Sequence, residues 1–73
     1  MKVKEPDPVG AVIHRLRLEH GITQEALAFR ADVTISSLAR IERGGVVSPT
    51  VRTLRKIAVA LDVSMAELVT AVE

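Results

Sequence analysis

Short runs of apolar residues at helical spacing, separated by brief polar connections, are the feature that most limits the fold of this chain. Apolar residues that recur every three or four positions line one face of an α-helix, whereas a half-buried strand alternates apolar and polar residues. The runs follow the first pattern, and the alternation of a strand is not visible. The sequence therefore predicts an all-α fold, a compact bundle of five short helices.

Each predicted helix begins at a residue whose side chain is able to accept hydrogen bonds from the first free N–H groups of a helix. Proline fits the position after such a cap, since it has no N–H to leave unpaired there. Ser64 and Glu67 match the capping box, in which the two residues satisfy each other's backbone. Gly21 and Gly44 end the first and third helices. The predicted starts are Asp7-Pro8, Thr23, Thr34, Ser48-Pro49 and Ser64.

The apolar faces of these helices supply the predicted core. Phe29 is the sole aromatic residue, so the core must consist of small aliphatic side chains. Residues 1–6 are charged and proline-containing and are predicted to form a flexible N-terminal arm, followed by one domain over residues 7–73. The predicted core positions are Val9, Val12, Ile13, Leu16, Leu27, Ala28, Ala31, Leu38, Ile41, Val51, Leu54, Ile57, Ala58, Leu61, Leu68, Val69 and Val72.

Composition excludes several classes of protein. The chain has no cysteine, so the disulfides or thiolate zinc sites on which small secreted domains depend are absent. There is no apolar signal core and no apolar run near the roughly 20 residues that cross a bilayer. We therefore expect a cytoplasmic protein with no membrane contact. The net charge of +1 does not by itself indicate a nucleic-acid partner.

Catalysis has little support in the sequence. His14 and His20 lie six positions apart, which does not place them together on a helix face as metal ligands. Neither a phosphate-binding glycine-rich loop nor a nucleophile motif is present. The sequence predicts that the chain is not an enzyme, has no cofactor or metal, and carries both histidines on its surface.

The most informative segment is residues 23–44, TQEALAFRADVTISSLARIERG. Two short helices joined by a tight turn form a helix-turn-helix when small and apolar residues occupy their crossing. Ala28 is small where the second and third helices approach, Val33 fills the turn, and Leu38 and Ile41 anchor the third helix. The outward positions of that helix are then available to contact a ligand.

This segment and its surroundings resemble the phage-repressor-like (Cro-type, xenobiotic response element) helix-turn-helix proteins. The resemblance implies a lambda-repressor-like fold and sequence-specific binding of double-stranded DNA as a transcriptional regulator, either a repressor or a small controller protein. Asp32 replaces the glycine usual in the turn, but Asp tolerates positive φ. The residues that match, within a span from Val9 to Val72, are Leu16-Arg17, Gly21-Ile22-Thr23-Gln24-Glu25, Leu27-Ala28, Ile41-Glu42-Arg43-Gly44, Pro49, Leu54, Ile57-Ala58, Ala60-Leu61, Val63-Ser64 and Leu68.

The family resemblance implies roles for individual residues. The third helix enters the major groove, where Arg40 is suited to bidentate contact with guanine. Gln24 lies in the first turn of its helix, which attracts phosphate, and Arg17 pairs with Glu42 to tie the first helix to the third. Arg52 fits a solvated helix face equally well. The predicted base-reading residues are Ile35, Ser36, Ala39 and Arg40, and the predicted phosphate-binding residues are Thr23, Gln24, Ser37, Arg43, Ser48 and Arg52.

A single module contacts too few base pairs for strong specificity, so we expect a homodimer on a two-fold operator with half-sites about 34 Å apart. An alternative function is an antitoxin-type interaction module that neutralises a partner toxin and represses its own operon. The apolar residues of the fifth helix fit a core, self-association or a toxin partner. The candidate dimer contacts are Val46, Val47, Met65, Leu68, Val69 and Val72.

Overall fold

The computed structural model describes residues 8–44 and 49–70, which form helices and no strand. The predicted all-α fold with five helices is thereby confirmed. Side chains are described for residues 9–44 and 49–68. The helices are α1 Pro8–Glu19, α2 Gln24–Ala31, α3 Ile35–Glu42, α4 Val51–Leu61 and α5 Met65–Thr70.

Threonine side chains start three of these helices. Thr23 Oγ1 accepts a hydrogen bond from the N–H of Ala26 at 3.1 Å, and Thr34 Oγ1 accepts one from Ser37 at 3.0 Å. The predicted capping box of α5 is present: the N–H of Ser64 donates to Glu67 Oε1 at 2.9 Å, and the N–H of Glu67 donates to Ser64 Oγ at 3.1 Å. Local capping chemistry thus decides where these helices begin.

The predicted start of α4 is wrong. Thr50, and not Ser48, is the cap: its Oγ1 accepts from the N–H of Thr53 at 3.1 Å, and the helix begins at Val51. Both positions carry a hydroxyl next to Pro49, but only Thr50 lies three residues before the N–H that needs a partner. Ser48 itself lies outside the described residues.

Three of the turns between helices have the same backbone conformation and hydrogen-bond pattern. Gly21, Asp32 and Asp62 adopt left-handed backbone conformations with φ of 65°, 58° and 60°. The next N–H in each turn donates back to the helix at 3.0 Å, as in Val33 to Ala28 O and Val63 to Ala58 O. This bond pattern closes the helix end and reverses the chain within a few residues. The expectation that Asp32 takes positive φ in place of glycine is confirmed.

Small aliphatic side chains from every helix meet in one core, as the composition predicts. α3 packs against α1 and α2, while α4 packs against α2 and α5. Leu38 of α3 has no exposed surface and Ile41 only 4%. The other buried core residues are Val9, Val12, Ile13, Leu27, Ala28, Ala31, Ile57, Ala58, Leu61 and Leu68.

For two apolar residues, one predicted role is wrong. Val51, assigned to the core stripe of α4, is 61% exposed, because the helix begins at this residue and its first turn extends beyond the core. Leu68, a candidate dimer contact, is completely buried, so it packs inside the molecule and is not available to a second copy. Over the part of the chain that the structure describes, no helix has the length and apolar character needed to span a membrane.

Candidate DNA-binding surface

α3 presents a polar face to solvent because its two apolar anchors lie on the opposite side. Leu38 and Ile41 point into the core, and Thr34 fixes the start of the helix. Ser36, Ser37 and Arg40 are exposed, and Ile35 is 47% exposed. The structure therefore brings most of the predicted base-reading residues onto one exposed face.

Ala39, the fourth predicted base-reading residue, is only partly exposed.

A groove runs along this face between α3 and the start of α4. Its wall on α3 includes Ser37 and Arg40, and its wall on α4 includes the hydroxyls of Thr50 and Thr53, which hydrogen-bond to each other at 3.0 Å. Hydrogen-bond donors and a guanidinium thus lie side by side on one surface. The groove residues are Val33, Ser37, Arg40, Ile41, Pro49, Thr50 and Thr53.

Arg17 and Glu42 form an ion pair between α1 and α3. The guanidinium donates from Nε to Glu42 Oε2 at 2.9 Å and from Nη2 to Oε1 at 3.1 Å, and its Nη1 donates to the carbonyl of Ile22 at 3.0 Å. The two side chains are only 10% and 5% exposed. This arrangement fixes the C-terminal end of α3 relative to α1 and to the turn that leads into α2.

The environment of Glu42 changes its acidity. Burial raises the pKa of its carboxyl, but the hydrogen bonds donated by Arg17, His14 and Gln24 and the charge of Arg17 outweigh burial, so that the pKa is lowered. Glu42 is therefore ionised when the protein is folded at neutral pH.

Gln24 occupies the first position of α2, and its side chain is already engaged. Its Nε2 donates to Glu42 Oε1 at 3.2 Å. Thr23 is exposed, and its hydroxyl oxygen caps α2. The predicted phosphate-binding residues Thr23 and Gln24, here called the phosphate clamp, therefore lie together at the N-terminal end of α2. Gln24 also contacts the buried carboxylate of Glu42 on α3.

His14 is the side chain of this region that the sequence reasoning missed. Its ring is 51% exposed, as expected for a surface residue, but Nδ1 lies 3.0 Å from Glu42 Oε1 and 3.2 Å from Arg17 Nη2. The signal in the sequence was the three-residue spacing of His14 and Arg17, which places both on one helix face. His20 is exposed as expected, with Nδ1 2.8 Å from the carbonyl of Leu16.

The remaining predicted contact residues are dispersed. Arg43 and Arg52 are exposed at the end of α3 and the start of α4. Met65 is partly buried against the core. Phe29, which is not among the predicted core residues, is 88% exposed on α2. The predicted residues Ser48, Val46, Val47 and Val72, and the side chain of Val69, lie outside the part of the chain that is described.

Comparison with known proteins identifies the same class of protein. The family model HTH_3, helix-turn-helix, matches residues 13–68. The uncharacterised HTH-type transcriptional regulator y4dJ of Sinorhizobium fredii is 47% identical over 62 residues, which are 85% of this chain and 79% of that protein.

Two solved structures have similar folds. The restriction-modification controller protein C.AhdI of Aeromonas hydrophila superposes with a TM-score of 0.80 at 32% identity, over 85% of this chain and 92% of that one. The master regulator for biofilm formation SinR, solved in complex with DNA, superposes with a TM-score of 0.80 at 36% identity, over 84% of this chain and 97% of that one.

Proposed function

This chain belongs to the HTH_3 helix-turn-helix family and is a DNA-binding transcriptional regulator, and on that premise we propose that it reads double-stranded DNA with α3 in the major groove. The single observation that carries the proposal is the exposed face of Ser36, Ser37 and Arg40 on a helix anchored by buried Leu38 and Ile41. A helix of this kind fits the major groove, in which each base pair presents a distinct pattern of donors and acceptors.

Each contact has a separate role in this proposal. Arg40 donates two hydrogen bonds to a guanine, and Ile35 packs against a thymine methyl group. Ser36 contacts a base edge, and Ala39 permits close approach of the helix. Thr23, Gln24, Ser37, Arg43 and Arg52, with Ser48, contact phosphates and so fix the position of the protein without reading sequence.

The proposed regulator acts as a homodimer, either as a repressor or as a small controller protein. The similarity to a restriction-modification controller and to a regulator solved with DNA supports this proposal. Two copies on a two-fold site double the number of bases read, which a single short recognition helix does not achieve alone. The candidate contacts between copies are Val46, Val47, Met65, Val69 and Val72.

The test begins with selection of binding sites from a library of random duplexes. A two-fold consensus with guanine opposite Arg40 is expected. Arg40→Ala should lower discrimination at that position by about 1–3 kcal/mol while binding to unrelated duplexes changes little. Arg30→Ala, an exposed arginine of α2 that does not line the α3–α4 groove, is the matched control. An equal loss of affinity of Arg40→Ala for all sequences would assign Arg40 to a phosphate, and a selection without consensus would reject the proposal.

A further inference from the structure

Three side-chain nitrogens converge on one oxygen of Glu42. Its Oε1 lies 3.0 Å from His14 Nδ1, 3.1 Å from Arg17 Nη2 and 3.2 Å from Gln24 Nε2. A carboxylate oxygen has two lone-pair directions for strong hydrogen bonds. The three side chains, which come from α1 and α2, therefore compete for the same acceptor on α3.

Arg17 is the partner least able to leave. Its Nε and Nη1 are held by Glu42 Oε2 and by the carbonyl of Ile22 at 2.9 and 3.0 Å, and the residue is 8% exposed. Gln24 is neutral, makes the longest of the three contacts and is partly exposed to solvent. Gln24 is therefore the partner of Glu42 Oε1 that is most easily displaced.

The strength of the His14 bond depends on its protonation. A neutral ring whose Nδ1 carries the lone pair accepts from Arg17 Nη2, 3.2 Å away, and a neutral ring with hydrogen on Nδ1 makes a hydrogen bond to Glu42. The carboxylate charge strengthens that bond already, and the imidazolium adds its own positive charge, so that both partners of the bond are ionised. Histidine gains this charge between pH 8 and pH 5.

Two charged groups lie within hydrogen-bond distance of His14 Nδ1: the carboxylate of Glu42 from α3 and the guanidinium of Arg17 from α1. Other charged side chains of α1 and α5 have their own partners: Arg15 pairs with Glu19 at 3.6 Å, and Glu67 binds the N–H of Ser64.

We propose that His14 is a positioning residue for the phosphate clamp: its protonation takes over Glu42 Oε1 and releases the Gln24 amide toward the DNA backbone. This inference rests on the proposed function, because it needs Gln24 to bind phosphate. The protein then holds DNA more tightly at lower pH, through a side chain that does not itself contact the duplex.

The first experiment needs no DNA. Gln24 is the chain's one glutamine and the chain has no asparagine. A ¹⁵N spectrum of the protein therefore contains one carboxamide NH2 group. Between pH 8 and pH 5 its resonances should shift in parallel with the His14 ring signals. The shift should be absent in His14→Ala and retained in His20→Ala. A flat Gln24 signal in the unsubstituted protein, or the same shift in His14→Ala, overturns the proposal.

The second experiment measures affinity for a selected duplex at pH 5.5 and pH 8. The gain at low pH should be about two- to tenfold larger for the unsubstituted protein than for His14→Ala, which is the effect of about one hydrogen bond. In a Gln24→Ala background the His14→Ala substitution should no longer change the gain. If proteins with His14 still show the larger gain in affinity at low pH in the Gln24→Ala background, the charge of His14 alone explains that gain and the proposal is wrong. Failure to bind any duplex would reject the proposed function, while the Gln24 resonance would still test the contact.

Discussion

Gly10 marks the closest approach of α1 to the recognition helix. A Cβ at this position would overlap the carbonyl oxygen of Ile41 and lie 3.3 Å from the Cα of Glu42. Alanine is favoured over glycine in a helix by about 1 kcal/mol, but backbone that must move to admit a methyl group costs about 1–3 kcal/mol. We therefore expect Gly10→Ala to lower the free energy of unfolding by up to about 2 kcal/mol, instead of raising it by about 1 kcal/mol as at an unobstructed helix position, measured by urea denaturation.

The neighbouring exposed residue supplies the control for this prediction. Ala11→Gly changes helix propensity alone and should cost about 1 kcal/mol or less. A Gly10→Ala protein about 1 kcal/mol more stable than the original would mean that α1 and α3 separate without cost, and that the position of α3 does not depend on this contact.

Glu42 should make stability depend on pH in the acidic range. Its pKa is lowered in the folded protein from the ordinary value of 4.5, so the unfolded chain binds a proton first as the pH falls. Its contribution is therefore complete above about pH 4.5 and is lost as the pH falls through the lower folded value. Glu42→Gln should cost about 3–5 kcal/mol at pH 7, as removal of one partner of a buried pair does, and this difference should shrink below pH 4.5.

Glu19→Gln is the matched control, because Glu19 pairs with Arg15 at 3.6 Å with both side chains more than half exposed. An exposed pair of this kind contributes about 1 kcal/mol or less. Denaturation of the three proteins from pH 7 to pH 2.5 checks the prediction. A constant difference between Glu42→Gln and the unsubstituted protein at every pH would show that Glu42 acts through its shape and not its charge.

Some side-chain contacts could be predicted from neighbouring residues in the sequence, and others could not. The capping role of Thr23 follows from its position before an apolar stripe. The pair of Arg17 with Glu42 was expected only from the family resemblance, since 25 residues separate them in sequence. The convergence of His14 and Gln24 on the same oxygen depends on side-chain rotamers brought together by three helices, which periodicity does not specify.

At the level of elements, the recurring turn explains why helix ends were predictable from sequence. Gly21, Asp32 and Asp62 each take a left-handed conformation, and each is followed by an apolar β-branched residue and then by a Ser or Thr that starts the next helix. Both signals are local. The start of α4 was misplaced because Ser48 and Thr50 offer the same chemistry on either side of Pro49, and the sequence alone did not choose between them.

This turn predicts opposite effects for two substitutions at one position. Asp62 is exposed with φ of 60°, a conformation that is free of strain in glycine and costs other residues about 1–2 kcal/mol. Asp62→Gly should therefore raise the free energy of unfolding by about 0.5–1 kcal/mol, and Asp62→Val should lower it by about 1–2 kcal/mol. Thermal denaturation of both variants measures the effects.

Asp32 repeats the test in the turn before the recognition helix, where Asp32→Gly should also stabilise the protein. The gain should be smaller there, because Asp32 Oδ2 also lies 3.9 Å from Lys56 Nζ. Equal stability of the Gly and Val variants at Asp62 would contradict the idea that backbone strain governs this turn.

For the whole molecule, helical periodicity predicted which helices exist and most of the residues they bury. Leu68 was predicted both as a core position and as a dimer contact, and its burial confirms the first of these roles and excludes the second. Val51 was predicted to lie in the core and is exposed, because it is the first residue of α4. The exposed face of α3 was predictable for a physical reason: the same spacing that buries Leu38 and Ile41 turns Ser36, Ser37 and Arg40 outward.

The proposed dimer makes a prediction that depends on the geometry of two molecules on one duplex. Two recognition helices related by a two-fold axis reach half-sites on one face of DNA, one helical turn apart. Inserting five base pairs between the half-sites moves the second to the opposite face, so that only one copy is held. Affinity for the altered site should then fall about 100-fold or more, to that of a single half-site, because the gain from simultaneous engagement is lost. Sedimentation of the complex should show two chains on the original duplex, and affinity that is indifferent to the insertion would mean that the copies bind independently.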